Sequence, residues 1–127
     1  MRNIKFWGDF GETVVKKYLK KIGLNLIKCN FISKYGEIDV IAQDENFIIF
    51  VEVKFHKTNC TGFGAERVNL SKQIKILKTA EIYFSENFFD KQPRFDVIEV
   101  NFDSKNINPR INHIKNAFWV DDNYGFI

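Results

Sequence analysis

The chain has 127 residues, 45% of them hydrophobic and 28% charged, with a formal net charge of +3. That length suits one domain with its own core, so residues 1–127 are expected to fold as a single unit. The composition argues against disorder, no apolar run approaches the ~20 residues that span a bilayer, and the charge falls short of a polycationic binder. The balance permits a nucleic-acid partner without requiring one. Cys29 and Cys60 are too far apart in sequence for a Cys-x-x-Cys zinc or redox motif. The stretch from Met1 to Asp9 lacks the apolar core and small-residue cleavage site of a secretion signal, so a soluble cytoplasmic domain is expected.

The first periodic segment runs from about Asp9 to Ile22. With about 100° per residue, Gly11, Val14, Val15, Tyr18, Leu19 and Ile22 fall on one arc. Lys16, Lys17, Lys20 and Lys21 fall on the opposite one, which predicts an amphipathic helix, and Gly23 supplies its C-terminal cap. Strand-like runs follow at Leu24–Asn30, Gly36–Ala42 and Phe47–Phe55. The polar turn from Gln43 to Asn46 predicts an antiparallel hairpin between the last two. The glycine-bearing stretch from His56 to Glu66 reads as a mobile loop. Leu70, Ile74, Leu77, Ala80, Tyr83 and Phe84 give the apolar face of a second helix ending near Phe88. Strand signals resume at Arg94–Val100 and Ile111–Phe118. Helix, three strands, helix and two strands predict an α/β fold: a mixed β-sheet with flanking helices, as a three-layer sandwich. Fourteen phenylalanines are unusual at this length, and core filling is their simplest account.

Charges inside the apolar strands carry the functional signal. Asp39 interrupts Gly36–Ala42, and Glu52 and Lys54 interrupt Phe47–Phe55. Side chains alternate along a strand, so Glu52 and Lys54 share a face, and Asp39 lies opposite or diagonal to Glu52 across the hairpin. Paired carboxylates repel unless a cation intervenes. Lys54 would neutralise one of them, whereas Mg²⁺ or Mn²⁺ would neutralise both. On the first helix Glu12 lies about 20° from Leu19, at the edge of the buried arc and within reach of the sheet. The plainer alternatives are an internal Glu52–Lys54 ion pair, a solvated Asp39, and a Glu12 favoured by the helix dipole.

Glu12, Gly36-Glu37-Ile38-Asp39 and Val51-Glu52-Val53-Lys54 together resemble the active-site pattern of the PD-(D/E)xK nuclease superfamily. From Gly8 to Phe118 the chain resembles the YraN-like family, small bacterial proteins similar to archaeal Holliday junction resolvases. Further marks are Gly8-Asp9-Phe10-Gly11, Lys72-Gln73, Arg94-Phe95-Asp96-Val97 and His113-Ile114-Lys115-Asn116-Ala117-Phe118. Two places depart from that pattern: Ile32 stands where an arginine is common, and the nearest basic residues after Lys54 are His56 and Lys57. The resemblance implies a restriction-endonuclease-like fold and a metal-dependent DNA endonuclease. Asp39, Glu52 and the Val53 carbonyl would hold Mg²⁺ or Mn²⁺, with Glu12 completing the shell and Lys54 orienting or activating water.

Lys34, Lys57, Arg67, Lys72 and Lys75 flank these motifs and would meet phosphates without reading bases. Gln73, an amide inside the second helix's apolar stripe, either reaches the same site or is satisfied locally. Arg94 and Asp96 share a strand face, as a local ion pair would. His56 and His113 have no spaced partners for zinc. Symmetric cutting of a junction would suit a two-fold homodimer, with Ile111–Phe118 as a candidate edge. The rival reading is a catalytically weak nucleic-acid-binding or partner-docking protein on the same fold. Replacing Asp39 or Glu52 by alanine is expected to leave the fold intact, because like charges are relieved.

Overall fold

A computed structural model describes residues 9–57, 68–87, 90–103 and 106–118. The elements are α1 (Asp9–Lys21), β1 (Asn25–Ser33), β2 (Gly36–Gln43), β3 (Phe47–Lys57), α2 (Leu70–Glu86), β4 (Gln92–Asp103) and β5 (Asn106–Ile114). The chain order expected from the sequence is the observed one. Helix α1 stops where Gly23 takes φ +85°. The Leu24 and Gly23 amides then donate to the Leu19 and Lys20 carbonyls, the paired bonds of a Schellman cap. Helix α2 starts at Asn69, whose side chain accepts the Lys72 amide, and ends at Asn87, whose side chain and backbone N–H both donate to Tyr83.

The five strands form one sheet in the order β1-β2-β3-β4-β5. Neighbours pair antiparallel except β3 and β4, which run parallel and are joined through α2. The β2–β3 hairpin is set by Asp44, whose Oδ1 accepts both the Asn46 and Phe47 amides at 2.8 Å. Strand alternation divides the core between the two faces. Val15 and Leu19 of α1 pack with Val40, Ala42, Ile49, Val51, Val53, Ile98 and Val100. Ile76, Leu77, Ala80 and Tyr83 of α2 pack with Ile48, Phe50, Phe95 and Val97 on the other face. The sheet therefore carries one helix on each side.

Phenylalanines do fill the core. Phe50 stacks on Phe95 at 5.4 Å and meets the edge of Tyr83 at 6.2 Å, and Phe95 stacks on Phe118 at 5.2 Å. Burying one such ring contributes ~1.5–3 kcal/mol. Among the described residues no helix is long and apolar enough to cross a membrane.

Several boundaries differ from the sequence expectation. His56 and Lys57 end β3 rather than open a loop, held by parallel pairing to Asn101 and Phe102. The remainder of the expected loop, including Asn59 to Gly64 and Arg67, lies outside the described residues. Strand β5 occupies Asn106–Ile114, not 111–118. Pro109 weakens the strand signal there, yet β5 is an edge strand, where a missing N–H is tolerated. Phe118, expected on that edge, is buried against Phe95 instead.

Candidate active site

The site is built on a fault in β2. Residues two apart in a regular strand share a face. Ile38, however, packs on the α2 side and Val40 on the α1 side, so alternation breaks at Asp39 between them. On β1, Asn30 lies between the residues paired to Ile38 and Val40 and has φ +56°, a left-handed conformation that asparagine tolerates better than most residues. The β2–β3 ladder runs from Gln43↔Ile48 to Val40↔Val51. One step further, where Asp39 comes level with Glu52, a side chain takes over the ladder's work. The Val53 amide donates to Asp39 Oδ2 at 2.8 Å. Asp39 is thus a structural acceptor as well as a charge, a role the expectation for its truncation did not include.

Glu52 follows Phe50 on the α2 face and is 4% exposed, as is Asp39. A cation of α2 reaches it. Lys72, in the first turn of α2, brings Nζ to 3.2 Å from Glu52 Oε2. The Lys72 side chain is 41% exposed, so a charge from the solvent side neutralises a buried one. Lys54 is half-buried on the same face as Glu52 and lies beside Glu99 in the parallel register.

Glu12 has a cation of its own on α1. It forms an ion pair with Lys16 one helical turn on, at 2.7 Å, with 38% of its side chain exposed. Burial pushes the Cys29 thiol pKa up, and the charges of Glu12 and Asp39 push it the same way, while Lys16 opposes them. Glu12 and Asp39 therefore both act on Cys29 in β1. Among the described residues no three of His, Cys, Asp and Glu gather into a group able to hold a metal ion. Glu12, Asp39 and Glu52 do not make such a triad.

The model for UPF0102, described as an uncharacterised protein family, matches residues 11–100. The chain belongs to the UPF0102 family. A UPF0102 protein of Clostridium botulinum (strain 657 / Type Ba4) is 44% identical over 115 residues, covering 89% of this chain and 94% of that protein. A UPF0102 protein of Caldanaerobacter subterraneus subsp. tengcongensis is 44% identical over 118 residues, covering 91% and 97%. The YraN-like resemblance read from the sequence is this same family. The UPF0102 match spans Glu12, Asp39, Glu52 and Lys54.

Around the paired carboxylates the other expected residues fall in different places. Lys34 is exposed in the β1–β2 turn, and Lys57 is the last residue of β3. Gln73 donates from Nε2 to the Val68 carbonyl at 2.9 Å, fastening the approach to α2. A residue missed in the sequence is Glu99, fully buried on the face that carries Glu52 and Lys54. Asn112 donates to its Oε1 at 2.7 Å, and His56 Nε2 is 3.7 Å from its Oε2. The signal that exposed Glu52, a charge inside an apolar strand, is equally present at Glu99 in Phe95–Val100.

On the α1 side, Arg94 and Asp96 form the expected ion pair. Arg94 donates twice to Asp96, at 3.0 and 2.8 Å, His113 Nε2 lies 2.8 Å from Asp96 Oδ2, and the Asn116 amide donates to Oδ1. Burial alone would raise the Asp96 pKa, but the His113, Arg94 and Asn116 hydrogen bonds and the Arg94 charge together hold it below 3.8. His113 Nδ1 meets the Tyr18 hydroxyl at 2.8 Å. Burial, with the Asp96 charge adding to it, keeps that phenol above its ordinary pKa and protonated.

Proposed function

We propose that this chain is a metal-dependent endonuclease of the PD-(D/E)xK type, hydrolysing phosphodiesters in DNA, on a restriction-endonuclease-like sandwich. The observation that carries the reading is the pair of buried carboxylates, Asp39 and Glu52, placed where β2 breaks its alternation and the β2–β3 ladder ends. Buried anions are costly, and two of them at the open end of one hairpin, one beside a lysine, suit a divalent cation and a phosphate. Their hard oxygens, with the Val53 carbonyl, fit Mg²⁺ or Mn²⁺. Mg²⁺ commonly takes one or two carboxylates and keeps several waters, so a three-carboxylate shell is unnecessary. When bound, the ion would lower the pKa of water and offset phosphoryl charge.

The chain's own groups would do the rest. The Val53 amide fixes Asp39, so one carboxylate is aimed before substrate arrives. Lys54, on the Glu52 face, would stabilise the negative charge that grows on the phosphoryl oxygens or orient the attacking water. Lys72 would exchange Glu52 for a substrate phosphate once Glu52 has another cation. Glu12, one turn from Lys16 on α1, would complete the metal shell or hold a second ion.

The rival reading is a nucleic-acid-binding module without turnover, and the Lys72–Glu52 ion pair favours it, because a cation already occupies the carboxylate. Labelled linear, single-stranded, flapped and four-way DNA, incubated with Mg²⁺, Mn²⁺ or EDTA, decides between them. Metal-dependent cleavage that Glu52→Ala abolishes is the expected result. Binding without cleavage in any metal would leave the module reading standing.

A further inference from the structure

The β1–β2 turn and helix α2 share a basic surface that the paired carboxylates do not account for. Lys72, Lys75 and Lys78 recur every third residue along α2, so their stems form one row about 9 Å long. Lys75 and Lys78 are exposed, and Lys72 ends the row at Glu52. No acidic residue occurs in α2 before Glu81, one turn beyond Lys78. At the far end stands Tyr35, 39% exposed, with Lys34 Nζ 5.3 Å and Lys78 Nζ 5.2 Å from its ring centre. The ring therefore gathers one ammonium from the turn and one from the helix.

The turn is fastened to the helix. Ser33 Oγ lies 2.8 Å from Thr79 Oγ1, a hydroxyl fully buried in α2, and the same Ser33 Oγ accepts the Tyr35 amide at 3.0 Å. Gly36, the first residue of β2, lies over the same helix, its missing Cβ position 3.6 Å from Lys75 Cβ, an ordinary contact distance. Four lysines thus lie along a path from Tyr35 to Glu52, two on the Tyr35 ring and one on the carboxylate. Glu37, half-buried in β2, is the acid nearest this turn in sequence.

We infer that Lys72, Lys75, Lys78 and Lys34, the last two gathered on Tyr35, form a track for the phosphate backbone of the nucleic acid whose scissile bond lies at Glu52. The inference deepens the nuclease reading and rests on it for the position of the scissile bond alone. Phosphate contacts of this kind bind by releasing counterions and read no sequence. Tyr35, with cations on its ring, orients lysines rather than stacking a base.

The test measures the salt dependence of binding to a labelled 20-bp duplex and to one of its single strands, in EDTA, by fluorescence anisotropy. Lys72 stays in place because it contacts Glu52. The triple variant Lys34→Gln/Lys75→Gln/Lys78→Gln is compared with Lys17→Gln/Lys20→Gln/Lys21→Gln, which removes the same charge from α1. The α2-side triple is expected to lower the slope of log K against log salt by about 0.9 per lysine on duplex, and about 0.7 on single strand. The α1 triple is expected to keep the wild-type slope. Tyr35→Leu should keep the slope and weaken binding about two- to fivefold. Equal slope losses in both triples, or no binding by the wild-type chain, would overturn the track. A chain that cleaves DNA while the α2-side triple keeps the wild-type slope would lose the track and retain the nuclease. The reverse result, a local slope loss without cleavage, would retain the track and remove the nuclease.

Discussion

Two buried carboxylate sites in this sheet are held in opposite ways. Asp96, on the α1 side, is enclosed by a two-pronged arginine, a histidine and a backbone amide, all from its own strand, β5 and the turn after it. Arg94 and His113 there are themselves shielded, with side chains 11% and 5% exposed. Glu52, on the α2 side, is met by Lys72, a long side chain open to solvent. The first arrangement is closed around its charge and ties α1, β4 and β5 together through Tyr18. The second can exchange its cation without moving the backbone. Burial of a charge is common to both; what differs is the exposure of the cation each one meets.

The sharpest way to break that contrast is to remove each anion. Asp96→Ala should cost ~3–5 kcal/mol in urea unfolding, because Arg94 and His113 would be left buried without their counter-charge. Glu52→Ala should lower Mg²⁺-dependent cleavage by about 10²–10³-fold or more, with a melting temperature equal to or above wild type. A large melting loss in Glu52→Ala would make Glu52 a second structural anion and erase the distinction. Asp39 belongs between them: Asp39→Asn keeps an acceptor for the Val53 amide, so it should keep the fold and lose the activity, whereas Asp39→Ala should also cost ~1–3 kcal/mol.

Acid titration sharpens the comparison further. The Asp96 pKa is held below its unfolded value, near 3.8. The unfolded chain therefore takes up that proton first, and the stability Asp96 contributes is complete above about 3.8. It is lost as pH falls from there through the lowered folded value. Asp96→Asn should flatten this acid limb of the stability curve, as followed by circular dichroism. Tyr18→Phe removes only the hydroxyl that meets His113 and should cost ~0.5–1.5 kcal/mol. The smallest expected change is in Lys72→Gln, within ~1 kcal/mol of wild-type stability, as befits a partly exposed pair. It should instead lower the Mg²⁺ concentration needed for half-maximal cleavage, since the ion no longer competes with an ammonium for Glu52.

Much of the fold was legible because period and punctuation act locally. The 3.6-residue stripe of α1, its Gly23 cap and the Asp44 turn depend on residues within a few positions of one another. Strand β5 was misplaced because Pro109 and several asparagines weaken a strand signal that only an edge position tolerates, and edge position is a property of the finished sheet. The register that brings Asp39 level with Glu52 was legible because one hairpin fixes which backbone positions oppose each other. Glu99 carried the same signal and was passed over beside the more conspicuous Arg94 and Asp96.

The sequence by itself determined the order of elements, the amphipathic faces and the presence of charge inside apolar strands. Each of these follows from side-chain periodicity and local hydrogen bonding. Only the folded chain decided the ion pairs and hydrogen bonds that join different elements. Lys72 of α2 reaches Glu52 of β3, and His113 and Tyr18 close on Asp96 from distant parts of the chain. Pairs within one helix turn or one strand face follow from chain spacing, as Glu12–Lys16 and Arg94–Asp96 do, whereas pairs between elements depend on distance in space and on burial.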